Sequence, residues 1–276
     1  MKITYDNKFT LSFFLWLDNL ILSKGEGFVN INNQELITSN DPRIGSQYRI
    51  YSSPQTQWVT DSSVSNVNIP NSVEVNGGSL SRSDGIIFDF INGRVLSPNA
   101  LQNPEVSFAK KSFNLYIANQ YEANLLLEKQ FNGENVFFPK SGSRVNQYIA
   151  PCILISAGNT ENTGFALGGT RKTDFTIEIM AISDTREFLE SLGSVLRDSS
   201  ETTFPMVAFE DAPFDRFGDL KNGEYSYADL KNKYKNFGSQ IFVDKVFIDY
   251  IKGVNSNDSR FFTLYSRFSI YDIRNV

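Results

Sequence analysis

Apolar and polar positions are patterned most clearly between Pro151 and Ser200. Cys152-Ile153-Leu154-Ile155 predicts a short strand, and the polar stretch Gly158-Asn159-Thr160-Glu161-Asn162-Thr163-Gly164 predicts a loop after it. Phe165-Ala166-Leu167-Gly168-Gly169 is a second extended piece. Phe175, Ile177 and Ile179 then alternate with Thr176, Glu178 and Met180, the two-residue period of a strand with one buried face. Asp184 with Glu187 three residues later predicts a capping box. Behind it, Phe188, Leu189, Leu192, Val195 and Leu196 form one apolar stripe of a helix. These elements make a sheet covered by a helix.

The rest of the chain adds strands on both sides. Leu11 to Leu17 predicts a packed helix that stops near Lys24-Gly25. That run is too short and interrupted to span a bilayer and has no small-residue cleavage site, so an unexported, cytosolic product is expected. Residues 28–75 hold short strand-like pieces such as Tyr48–Tyr51 and Gln57–Val59, and Asn76-Gly77-Gly78 marks a turn before the strand Ser79–Arg82. Ile86–Phe90 and Arg94–Leu96 flank Asn92-Gly93, which predicts a hairpin with a type I′ turn whose charges, Asp89 and Arg94, are exposed. Pro98 and Pro104 suggest a boundary between residues 1–105 and 106–276. Beyond it come a strand at Ser112–Ile117, a helix from Ala118 to Phe131, an extended piece at Val136–Pro139 and a loop at Lys140–Ser143. Alternating strands at Ile241–Ile251 and Phe261–Ile273, linked by a hairpin loop at Gly253–Asp258, extend the sheet begun at Phe175. The sum is an α+β, β-rich fold: an antiparallel or mixed sheet with helices packed on one face, plus an N-terminal β-rich module.

Composition narrows the chemistry. The chain has 276 residues, 41% of them apolar and 21% charged, which is globular usage. A net charge of −5 leaves no overall basic footprint for nucleic acid. Histidine is absent, which removes His-based nucleophile systems and His-ligated zinc together. The single cysteine, Cys152, lies in an apolar run and is expected to be a small buried hydrophobe. Nucleotide-binding glycine loops, the GxSxG elbow and CxxC are all missing, so no catalytic residue, cofactor or metal site is assigned.

The long excursion from Glu201 to Lys235 carries Phe204, Phe209, Phe214 and Phe217 among the carboxylates Asp211, Asp215 and Asp219. Loops of this length with little regular structure are usually functional arms. Pro213 and the lack of a calcium-loop pattern favour a solvated or interface-facing acidic arm over a cation site. The four phenylalanines, together with Asn159 and Thr163 in the polar loop, are therefore candidate contact residues. Packing under the loop is an equally good reading of the phenylalanines.

The run Tyr148–Ile155, the piece Phe165–Gly169, the strand Phe175–Ile182 and the helix Asp184–Arg197 resemble the tail-terminator and neck proteins of tailed bacteriophages. The hairpin from Asp84 to Val95 resembles β-modules of phage virion proteins. The N-terminal β-rich portion is extra relative to a compact terminator. The resemblance implies a non-enzymatic virion protein of the head–tail connection, assembled in the host cytoplasm. It implies homo-oligomeric rings of six or twelve copies, joined to other connector and tail proteins, with DNA passing through without sequence-specific binding and no membrane role. The alternatives are a glycan-binding or adhesion module, in which Trp58 and nearby tyrosines stack on sugars, and an enzyme of unassigned chemistry.

Overall fold

A computed structural model of the chain describes residues 5–41, 44–117, 150–164, 170–215, 217–235, 240–251 and 261–275. The expected helix at 118–131, the pieces at 136–143 and 165–169 and the link at 253–258 lie outside the described residues. The fold is β-rich α+β, with three helices and several antiparallel or mixed sheets among the described residues.

Helix α1, Tyr5–Lys24, opens the chain. Apolar residues surround it on nearly every side, so it runs buried through the protein, with Phe9, Phe13, Trp16, Leu17 and Ile21 all in the main core. It stops where expected: the Gly25 amide donates to the Ile21 carbonyl at 2.9 Å.

Two four-stranded sheets follow. The first has the order β1 (Phe28–Glu35), β8 (Glu105–Lys111), β4 (Ser72–Val75), β5 (Gly78–Ser81). The second is β2 (Ile37–Ser39), β3 (Arg49–Ser52), β7 (Arg94–Ser97), β6 (Ile87–Asp89). One apolar core joins them, with Tyr51, Phe88 and Val95 from one sheet against Val73, Val106 and Phe108 from the other. Pairing crosses the expected 105/106 division, because β8 is the antiparallel partner of β1.

The third sheet is mixed, six-stranded and ordered β12 (Thr203–Pro205), β13 (Gln240–Ile251), β14 (Phe262–Asn275), β11 (Thr170–Ser183), β10 (Cys152–Gly164), β9 (Asn114–Ile117). Among its described pairings, only β9–β10 is parallel. Phe175, Ile177 and Ile179 are buried on one face as the alternation predicts, and Leu264, Phe268 and Ile270 continue that face on β14. Helix α2, Arg186–Arg197, lays Leu189, Leu192 and Leu196 on it, and helix α3, Tyr227–Lys235, adds Tyr227 and Leu230. The three described helices thus pack on the same face.

Three local expectations are corrected. The polar stretch 158–164 is strand, not loop: it continues β10 and pairs with Arg171–Phe175 of β11. A bulge sets Gly158 and Asn159 opposite Thr176, and beyond it the ladder supplies the backbone partners that the composition does not suggest. The capping box at Asp184 does not form. The helix starts one residue later, with Thr185 as N-cap, so Glu187 occupies the second helical position instead of the third. Finally, Asp89 pairs with Arg94, leaving a four-residue loop in which Gly93 has φ +63° and Asn92 is not left-handed. Asp89 holds Asn92 through both its backbone N–H (3.1 Å) and its side-chain amide (2.8 Å). The two-residue turn with positive φ at both centres occurs instead at Asn76 (+51°) and Gly77 (+78°), between β4 and β5.

Candidate interaction surface

The 201–235 segment is not a free arm. Its start forms β12, which pairs with Gln240–Phe242 at the rim of the large sheet. Phe204 is fully buried there, stacked on Trp16 at 4.9 Å and edge-on to Phe13 at 5.9 Å. A partner cannot reach it. Phe209 sits half-buried in a short 3-10 turn, Phe209–Asp211. Phe214 packs on the N-terminal core, where Leu220 is buried, and Phe217 meets Tyr48 edge-on at 5.9 Å. The segment ends in α3, back on the large sheet.

Its acids act within the chain. Asp219 receives Arg82 through Nε and Nη2, the shorter contact at 2.7 Å, and also accepts the Phe88 backbone N–H at 3.3 Å. Asp211 accepts from Lys233 Nζ and from the Tyr234 hydroxyl, both at 2.6 Å. These hydrogen bonds hold its carboxyl below the usual range. Asp215 accepts the backbone N–H groups of Phe217 and Asp219 and so closes its own turn. A solvated acidic arm is therefore corrected to a strap: the 213–221 loop is clamped to β6, with the Phe90 N–H donating to the Gly218 carbonyl at 3.1 Å. Among the described residues, no three His, Cys, Asp or Glu side chains gather as metal ligands.

Two buried clusters were missed by sequence reasoning. In the first, Arg94 bridges Asp89 (2.6 Å) and Asp41 (2.8 Å). Asp89 is only 1% exposed, so the hairpin charges expected at the surface lie inside. Burial pushes the Asp89 carboxyl up, and Arg94 pulls it back. In the second, Lys111 of β8 reaches Asp18 of α1 at 2.6 Å with both side chains buried. Beside it, Asp61 accepts from Asn19 Nδ2, Ser63 N–H and Tyr227 N–H, joining α1, a loop and the start of α3. Desolvation raises the Asp18 carboxyl, and it raises the neighbouring Tyr225 and Tyr227 hydroxyls, so both remain protonated phenols. The only sequence signal for these clusters is a lone charge in an apolar run, such as Asp18 after Leu15-Trp16-Leu17.

Trp58 is 1% exposed and stacks on Phe108 at 4.6 Å, so it is not available to a sugar. Tyr51, close by in sequence, is buried as well. Cys152 is fully buried, as expected, and burial pushes its thiol up to about 12.

What remains exposed is part of the large sheet's outer side and rim. Eight consecutive residues of β10, Ala157–Gly164, are exposed, and they include Asn159 and Thr163. Among the described residues, the parallel neighbour β9 reaches only Cys152–Ile155. At the opposite edge β12 covers only Gln240–Phe242 of β13. From Asp244 to Ile251 no β13 residue is buried, and Phe247 is 60% exposed. Between these edges, the face turned away from the described helices is amphipathic. Phe242 stacks on Tyr271 at 5.0 Å, Lys172 lies 4.6 Å above the Tyr271 ring, and Arg267 pairs with Glu178 at 3.2 Å.

No family model matches this chain, and no curated protein matches it. No described helix is long and apolar enough to cross a membrane.

Proposed function

We propose that the chain is a structural subunit of the phage head–tail connection, a neck or tail-terminator protein that assembles as a ring around the DNA channel. The observation that carries this reading is the exposed outer half of β10. A sheet with its described helices on one face and an exposed, strand-paired ribbon at one corner offers long contact surfaces to neighbouring proteins. The second buried charge cluster supports it: Lys111–Asp18 and the Asp61 hydrogen bonds tie the N-terminal portion to the helices on the large sheet, as a subunit held in a fixed ring geometry requires. A net charge of −5 suits a lumen through which DNA moves without being gripped. The partners are other connector and tail proteins, and the location is the virion. The adhesion reading loses its stacking residue with the burial of Trp58.

Native mass spectrometry and negative-stain microscopy of the purified protein test the proposal. The expected result is a ring of six or twelve copies, or incorporation into connector complexes when partner virion proteins are added. A strictly monomeric species that also fails to join those partners would overturn it.

A further inference from the structure

Resting on the ring reading, we propose that successive copies join by β-strand addition, the Ala157–Gly164 edge of one copy pairing with the Asp244–Ile251 edge of the next. Each segment spans eight residues, and neither contains a buried residue. They lie on opposite sides of one sheet, so a single chain carries both halves of a head-to-tail contact. The β10 edge contains neither proline nor lysine, two devices that normally block strand addition.

Strand direction fits. The steps β10–β11, β11–β14 and β14–β13 are all antiparallel, so β10 and β13 run in opposite directions. Copies that keep one orientation around a ring therefore bring β13 against the next β10 as an antiparallel pair. Registration adds a constraint. Thr160 aligns through Phe175 and Ile270 with Val243, so the two exposed segments are staggered along the strands. Joining them shifts neighbours by about 15 Å along the strand direction, which a closed array accommodates by tilting its strands, as barrels do. Main-chain hydrogen bonds supply the affinity, and the exposed Phe247 is an apolar contact beside them.

Two variants separate the edges. Asn159→Lys with Thr163→Lys adds charge to the β10 edge, and Phe247→Lys with Asp249→Lys does so on the β13 edge; the altered side chains are exposed, so circular dichroism should report an intact fold. Each variant alone is expected to be monomeric by native mass spectrometry. Mixed together, they are expected to form a one-to-one pair and stop there, because one good edge remains on each. Rings that persist in either variant would overturn strand addition and leave the ring reading standing. Loss of assembly in the β10 variant alone would count as such a failure, since the β13 edge would then have no part in the contact. A monomeric wild-type protein would remove both the ring reading and this inference.

Discussion

The 203–220 segment and the outer half of β10 carry the two sets of contact residues that the sequence suggests, and they end in opposite environments. The first is rich in phenylalanine and acid and is folded into the protein, with Phe204 fully buried and Asp219 tied to Arg82. The second is a bland run of Gly, Asn, Thr and Glu, and all of it is exposed. Aromatic content marked where the chain holds itself together. The plain polar strand is what it leaves exposed to solvent.

Substitutions can break this contrast. The largest effect belongs to Phe204→Ala, which empties a site against Trp16, Phe13 and β13 and should cost about 3–5 kcal/mol in urea denaturation. A loss below about 1 kcal/mol would put Phe204 outside the core. Next comes Lys111→Met, which strands the Asp18 carboxylate inside the protein and should cost about 3 kcal/mol at neutral pH. Its pH dependence has a definite sign. Asp18 is raised from 3.8 by burial, with Lys111 pulling it back. A carboxyl raised in the folded state stabilises the fold below its unfolded value, and that contribution disappears as pH climbs through the folded value. The deficit of Lys111→Met should therefore shrink on acidification; a deficit constant down to about pH 4 would contradict the pairing.

Smaller effects sharpen the comparison. Asp219→Ala removes the Arg82 pair and the acceptor of the Phe88 N–H, and should cost about 2 kcal/mol. Limited proteolysis of this variant should cut first within 213–221; an unchanged cleavage pattern would mean that the clamp does not hold the loop. Asn159→Ala and Thr163→Ala should change monomer stability by less than about 0.5 kcal/mol. A larger loss would show that the β10 edge is already packed within its own chain.

Periodic stretches were legible from sequence, because a buried face imposes a period that composition cannot hide. Phe175 to Ile179, the stripe of α2 and the end of α1 follow that rule, as does the joining of 241–251 and 262–275 to the same sheet. Stretches without periodicity were misjudged. Residues 158–164 lack apolar alternation because neither of their faces is covered, yet β11 keeps them extended. Asn92-Gly93 resembled a tight turn because local sequence does not show that Asp89 is buried and takes both amides of Asn92. The two readings of Phe204 could not be separated for a related reason: whether it faces solvent depends on Trp16, almost two hundred positions away. Buried charges such as Asp18 and Lys111 stand too far apart in the chain to be matched without the fold.

The lone cysteine has a practical consequence. With its thiol pushed up to about 12, only about one molecule in 10⁵ carries a native thiolate at neutral pH, and the surrounding strands shield even that one. A thiol reagent therefore reacts at Cys152 only when the large sheet opens, and the labelling rate becomes a clock for that opening. The same silence makes the wild-type background dark, so a single cysteine placed at Thr163 or Phe247 would report on its own edge alone.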